Sequence, residues 1–387
     1  MDSLEPGMVI GKAVYDAQGK VLLNNGVILT QKFIDALKDR NVTGCLIQDG
    51  NTDDIIPNEN ITEHVRSTTI KKMSNVFNSV QGVNSKFKMT SMSHMRDVIH
   101  SDNYQDAISK NPEFKKIASG VQNIVSELIN SPQVLLGMNS LKSFNDYAYQ
   151  HATEVAITAI MVGRKIGLSH KRLQELGTGC LLMDIGNIFL PQEVLNKQGK
   201  LTTEEFSMVK EHPVIGYEIL KNVHSIGVLP PHIAFQHHEK QNGKGYPRGI
   251  TGNNSILISD EPQTMHLYAS IAAVADVYDS LASDTPYRKA FPREKVITML
   301  SKLGGQQFNK DVLKSFLSIT PIHPEGSTVV VRVGKYKNTI GVVTDVNKED
   351  LARPTIRLFM DMKRKRIAPV EMNLFDEKLI KIESILL

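Results

Sequence analysis

Histidines and aspartates able to hold a metal ion are concentrated in the middle of this chain. His151 stands in DYAYQHATEV, Asp184 in CLLMDIGN and His212 in KEHPVIG. His237 and His238 are adjacent in AFQHHEKQNGKGYP, and Asp276 lies in AAVADVYDSL. Taken one at a time, most have ordinary explanations. A lone histidine on a helix is usually a surface or satisfied core residue, and Asp184 can cap a helix end after Leu181 and Leu182. Asp276 is harder to explain away. It follows the apolar stretch Ile271–Ala275, where an unpaired carboxylate would cost several kcal/mol, so it needs a partner, and a metal is a natural one. The His237–His238 pair carries its own constraint. Consecutive helical residues point about 100° apart, so both imidazoles reach one ion most easily at a helix end or distorted turn. Gly243 and Gly245, which follow, supply such an end.

The order of these segments is similar to that of a known family. His237-His238-Glu239-Lys240-Gln241-Asn242-Gly243-Lys244-Gly245-Tyr246-Pro247 resembles HHExxDGxGYP, the signature of the HD-GYP phosphodiesterases. Ile185-Gly186 and Pro191 through Leu201 resemble the stretch after that family's His-Asp doublet. His212-Pro213 with Gly216 resembles its HPxxG element, Ala275–Asp279 its aspartate helix, and Asp284-Thr285-Pro286-Tyr287-Arg288 its RPYR element. The resemblance covers about residues 140–320 in the same order. Both flanking regions look like modules carried by some members, though their motifs are weak.

The resemblance implies a cytoplasmic protein that cleaves or senses the bacterial messenger cyclic di-GMP at a site with two divalent metals, iron or manganese. Mixed imidazole and carboxylate ligation suits such ions. Carried over by position, His151, Asp184 and Asp276 would hold one metal, and Asp184, His212, His237 and His238 the other, with Asp184 bridging. Asp184, His237 and His238 would be the catalytic residues. Arg288, Tyr246 and Lys244 would meet the substrate. Some members hold a third metal through a Glu four residues before the first His. Tyr147 occupies that place here, which favours two.

The departures are as informative as the matches. Met183 replaces the His of the His-Asp doublet, and a thioether is a poor ligand for iron or manganese. Asn187 stands where the family has a Lys near the scissile phosphate. Asn242 replaces the Asp of the signature loop, and Thr285 the first Arg of RPYR. One metal set is therefore complete and the other reduced. Two functional expectations follow. The first is a working phosphodiesterase giving pGpG and then GMP. The second is a catalytically degenerate receptor or scaffold that binds cyclic di-GMP or a protein such as a diguanylate cyclase. A third, an HD-type phosphohydrolase of another nucleotide, is disfavoured by the GYP loop.

The elements that must position these residues can be read from periodicity. Apolar residues three and four apart mark helices over Ile117–Ile129, Ala152–Ile166, Arg172–Leu182, Glu204–Leu220, Leu267–Leu281 and Glu294–Leu303. The expected fold class is mainly α: an HD-type helical bundle over residues 114–320, with the metals between its helices. Before it, residues 1–58 read as a small α/β module. Its strand-like pieces are Met8–Tyr15, Val21–Leu23 and Gly44–Gln48, its turns Asp16–Gly19 and Asn24–Gly26, and its helix Gln31–Asp39 is capped by Thr30. Residues 59–113 read as a polar, partly helical connector. Residues 321–387 read as a small β-rich region with strands over Thr328–Val333, Thr339–Val343, Thr355–Met360 and Lys378–Ile382.

The 387 residues are 41% hydrophobic, enough for more than one core. The net charge of +4 accommodates an anionic ligand without demanding one. The basic run Lys363–Arg366 reads as a solvated hairpin tip, not a patch for a nucleic-acid polymer. Only Cys45 and Cys180 are present, which argues against a disulfide framework and for a reducing compartment. No signal peptide or membrane span is visible. A homodimer has no motif of its own; the amino-terminal or connector region would be its place.

Overall fold

Thr30 starts the first helix: its hydroxyl accepts a hydrogen bond from the Phe33 N–H at 3.3 Å, opening α1 (Gln31–Asp39). Around it lie four short strands, β1 (Val9–Ile10), β2 (Val14–Tyr15), β3 (Val21–Leu23) and β4 (Ile47–Gln48). β1 pairs with β4 and β2 with β3, both antiparallel. Ile10, Val14, Leu29, Ile34 and Leu37 form a small core of their own. The computed structural model describes residues 4–385 other than 16–20, 41, 43–44, 49, 51, 56–57, 88–91, 136–146, 259–260, 262, 286–287 and 364. The expected turn at Asp16–Gly19 therefore lies outside the described residues, as do Gly44, Pro286, Tyr287 and Arg364.

The segment expected to be a polar connector contributes to the main core. It forms α2 (Glu63–Lys86), α3 (Met92–His100) and α4 (Asp102–Ser109). Met73, Val76 and Val80 of α2 are fully buried and join the same cluster as Phe114, Ile117, Val121 and Ile124 of α5 (Glu113–Asn130). The stripe is narrow and the rest of α2 is Ser, Asn, Lys and Gln, so its average composition conceals one apolar edge. Arg66 of α2 also reaches Glu154 of α6 (Tyr147–Ile166), an ion pair buried between the two helices.

α6 lies against α7 (His170–Leu182) at a close approach that small residues permit. A Cβ at Gly177 would come within 2.7 Å of Ile160. A short 3₁₀ turn follows (Ile185–Phe189), then α8 (Gln192–Leu195), α9 (Thr203–Val209) and α10 (His212–Leu220). The single helix expected over Glu204–Leu220 is thus two. Pro213 has no N–H to donate into a continuing helix but fits the first turn of a new one. α11 (Pro230–Gln236), α12 (Leu267–Ala282), α13 (Arg293–Ser301) and α14 (Lys310–Leu317) complete the mainly α body.

The carboxy-terminal strands are β5 (Thr328–Val333), β6 (Thr339–Asp345), β7 (Thr355–Asp361), β8 (Arg366–Asn373) and β9 (Lys381–Ser384). They form one antiparallel sheet in the order β8-β7-β6-β5-β9. β8 escaped the sequence reading because it contains Pro369 and charged ends; it is an edge strand, where proline is tolerated. The end of the amino-terminal module is fastened to this sheet. Arg357 of β7 makes paired bonds to Asp54 at 2.6 and 2.8 Å, and Ile55 packs on Val342 and Phe359. Among the described residues no helix is long and apolar enough to cross a membrane.

Candidate metal centre

α11 ends at Gln236, so His237 is its C-cap and the two consecutive imidazoles splay from a helix end. The His237 Nδ1 lies 2.9 Å from the Ala234 carbonyl oxygen. His212 opens α10, and its Nδ1 lies 2.6 Å from the Val209 carbonyl oxygen, at the end of α9. Carbonyl oxygens only accept, so each Nδ1 carries the proton and each Nε2 a lone pair. The two Nε2 atoms face one another 3.2 Å apart, in a place where both rings are buried. Two lone pairs so placed repel unless a cation lies between them. The nearest ligand nitrogens of His212, His237 and His238 all lie within 4.8 Å of one another. Asp184 Oδ1 is 3.5 Å from the His212 Nε2 and 4.0 Å from that of His237. These four residues fit a divalent ion, whose bonds of about 2.0–2.2 Å to nitrogen and oxygen would draw the set together only slightly.

Electrostatics favour the same occupant. Burial pushes the His212 imidazole down to about 4 and takes His238 well below the ordinary histidine value, which keeps both neutral and able to ligate. Burial opposes the Asp184 carboxylate, but the surrounding histidines and the Asn187 amide, 3.0 Å away, hold it below the usual carboxylate range. Burial likewise lowers His266 and His323 to about 4. An unfolded histidine titrates near 6.5, so between about 4 and 6.5 the unfolded chain binds more protons than the folded one. The metal-free protein should therefore be less stable at pH 4.5 than at pH 7, its denaturant midpoint falling steadily below about pH 6.5. A midpoint flat across that range would contradict the burial of these rings.

A second pair of donors faces this cluster across the cavity. His151 of α6 meets two carboxylates of α12, with Nε2 3.0 Å from Asp276 Oδ1 and Nδ1 2.7 Å from Asp279 Oδ2. Burial opposes a charged imidazole here, yet these two bonds prevail and raise His151 to about 10, so an ion bound by this residue would have to displace its Nε2 proton. Asp279 escaped the sequence reading as a site residue. It is completely buried, and Ser283 donates to its other oxygen at 2.8 Å. The available signal was its spacing: three residues after Asp276 on an apolar helix places both on one face. Asp279 fixes the ring of His151 as a carboxylate does behind a metal-bound histidine. Asp279→Asn should weaken ion binding at the His151–Asp276 pair by about 10- to 100-fold. The three-histidine cluster should keep its ion, which stepwise metal titration would resolve.

A cavity of about 670 Å³ opens over both groups, lined by His151, Asp184, Asn187, His212, His238 and Asp276 among others. The Met183 side chain is fully buried in the main hydrophobic core. The reduced set thus consists of His151, Asp276 and Asp184. The Tyr246 ring lies 4.8 Å from that of His238, and Phe206 meets its edge at 6.2 Å. Tyr246, Lys244 and Arg288 are not among the residues that line this cavity, and Lys244 is exposed on its loop. Arg288 donates to the carbonyls of Ser280, Leu281 and Lys289 and sits over the Phe291 ring, so it closes the end of α12.

The loop after His238 is shaped by a residue the signature contains but spacing alone does not explain. Glu239 is buried, and its Oε1 accepts from the N–H groups of Arg248 at 2.7 Å and Gly249 at 3.1 Å. The chain passes so close to itself that a Cβ at Gly245 would lie 2.4 Å from the Glu239 Cα. Glycine is obligatory there, and it seats Tyr246 beside the histidines.

The same stretch of chain is similar to known proteins. Residues 124–312 match the sequence model of the HD domain family. The chain is similar to a cyclic di-GMP phosphodiesterase of Pseudomonas aeruginosa, 30% identical over 65% of this chain and 57% of that protein. It is 33% identical to a cyclic di-GMP phosphodiesterase of Thermotoga maritima over 48% of this chain and 49% of that protein. It is 35% identical to the cyclic di-GMP phosphodiesterase response regulator RpfG of Xanthomonas campestris over 41% of this chain and 39% of that protein. The matches thus span about two fifths to somewhat over half of these relatives' length. Residues 124–312 are thus similar to the HD domain family and to proteins named cyclic di-GMP phosphodiesterases.

Proposed function

We propose that the protein is a metal-dependent phosphodiesterase that hydrolyses cyclic di-GMP to pGpG and onward to GMP, in the cytoplasm. The observation that carries this reading is the pair of buried Nε2 lone pairs facing each other at 3.2 Å beside the Asp184 carboxylate. When bound, iron or manganese at such a site supplies Lewis acidity toward a phosphodiester and makes water a nucleophile near neutral pH. The chain's own residues do the rest. His212, His237, His238 and Asp184 would hold one ion. His151 and Asp276 would help hold the other, and Asp279 keeps His151 in register. Tyr246 offers the ligand an aromatic wall beside His238. The cavity is within the usual range of about 300–1,000 Å³ for small-molecule sites. The substrate class comes from the names of the three relatives given above, each a cyclic di-GMP phosphodiesterase; other relatives, from Vibrio cholerae, are named 3'3'-cGAMP-specific phosphodiesterases.

One observation favours a second reading, a receptor that binds cyclic di-GMP without turning it over. Met183 is packed in the core where the family has a ligand, and the Asn187 amide lies on Asp184 where the family has a cation. One experiment separates the two. The protein is loaded anaerobically with ferrous iron or manganese, its metal content is measured, and cyclic di-GMP is followed by chromatography. Product at a rate above that of His237→Ala establishes the enzyme. Metal-loaded protein that binds the dinucleotide calorimetrically and yields no product establishes the receptor. In that case Met183→His with Asn187→Lys should raise metal content and restore turnover.

A further inference from the structure

The register of the carboxy-terminal sheet gathers basic residues that are scattered in the sequence. Thr339 pairs with Asp361, which places the β5–β6 hairpin, residues 334–338, beside the β7–β8 hairpin, residues 361–366. Lys381 pairs with Val333 and Arg366 with Met360, so the start of β9 and of β8 belong to the same end. Arg332, Lys335, Lys337, Lys363, Lys365, Arg366 and Lys381 are therefore brought together, all exposed. The acidic residues within these segments are Asp361 and Glu383. Asp361 accepts from the N–H groups of Lys363 and Lys365, and Glu383 is paired with Arg332 at 2.5 Å. With Lys378, Asp376 and Glu377 of the loop before β9, eight cations stand against four anions, an excess of four in these parts of one sheet that equals the +4 of the entire chain.

Exposed apolar side chains lie among these charges. Val333 is 47% exposed at the end of β5, and Met362 is 52% exposed at the β7–β8 tip. Leu379 is 83% exposed and precedes Ile380, whose side chain lies against Gly334. Asp376 and Glu377 are the acidic residues of that last loop. The aromatic ring among these charges, Tyr336, packs on the core of the sheet and has the Lys335 ammonium over it at 5.1 Å, so it is not an open stacking platform of the kind single-stranded nucleic acid needs. Projecting aliphatic groups within a field of lysines match a bilayer surface, where lysines meet anionic headgroups and short apolar side chains enter the boundary beneath them.

We propose that this end of the carboxy-terminal sheet is a docking surface for an anionic membrane, holding the protein at the bilayer without crossing it. The inference is independent of the activity proposed above, since none of these residues lines the metal cavity. The full-length protein is mixed with vesicles of phosphatidylcholine alone or with about 30% phosphatidylglycerol, and pelleting is measured. Binding is expected only with the anionic lipid and should decline with added salt. Each basic residue near such a surface is worth about fivefold in partitioning, so Lys363→Glu with Lys365→Glu should reduce binding by well over tenfold. Met362→Ser should reduce it at unchanged charge, whereas millimolar inorganic phosphate should leave it intact. Thermal unfolding of the variants should match that of the parent, because the replaced side chains are exposed. No pelleting with anionic vesicles overturns the proposal. So does pelleting that the charge reversals do not change, or a charge-dependent affinity for homopolymer RNA exceeding that for vesicles.

Discussion

His237→Ala should abolish ion binding at the three-histidine cluster and lower the proposed phosphodiesterase turnover on the order of a thousandfold or more. His237 is 2% exposed, its Nε2 faces that of His212, and its Nδ1 is committed to the carbonyl of Ala234. Truncation removes one of the two lone pairs that converge there. The His212 ring would be left with an Nε2 that has lost its facing partner. Because the ring is buried, alanine also leaves a void, and some loss of stability accompanies the loss of ion. His237→Gln separates the two effects. It retains most of the volume while losing the imidazole, so it should fold like the parent yet bind little metal. Metal content by elemental analysis and circular dichroism on the same samples check this. A folded His237→Gln protein with full metal content would remove the basis for the proposed site.

Gly186→Ala should be nearly as damaging, although residue 186 carries no chemistry. The added methyl would lie 2.1 Å from the His212 carbonyl oxygen and 2.9 Å from the Gly216 nitrogen. Both are backbone atoms, so no side chain can swing aside. α10 would have to move away from the 3₁₀ turn after Asp184, carrying His212 with it. Overpacking of this kind costs about 1–3 kcal/mol and occasionally more. The larger effect is geometric, because ligand sets tolerate displacements of only about 0.5 Å. The expected outcome is a lowered thermal midpoint together with weakened metal binding that excess metal only partly restores. Gly82→Ala is the control. Gly82 lies within α2, its added Cβ would meet nothing within 4 Å, and alanine there should stabilise slightly. If Gly186→Ala behaved like Gly82→Ala, the close crossing of α10 over that turn would be wrong.

The region before the bundle shows why composition misleads. Residues 59–113 average out as polar, yet Met73, Val76 and Val80 carry α2 into the main core. The break between α9 and α10 was legible in Pro213, but apolar spacing runs through it and reads as one helix. In each case local pattern records a tendency, and packing decides how the tendency is used.

The sequence by itself determined the class of fold, a family resemblance and the candidate ligands. Helical periodicity, a signature loop and a carboxylate on an apolar helix are local properties of the chain, and they survive any arrangement of the elements. Tertiary structure decided what each residue faces. It turned two imidazole nitrogens toward each other at 3.2 Å, set Asp279 behind His151, and buried Met183 in the core. It committed Arg288 to the end of α12 and brought two distant basic hairpins side by side. None of these follows from spacing. Each depends on where separate helices cross or strands align, and those positions are fixed by packing of the whole body.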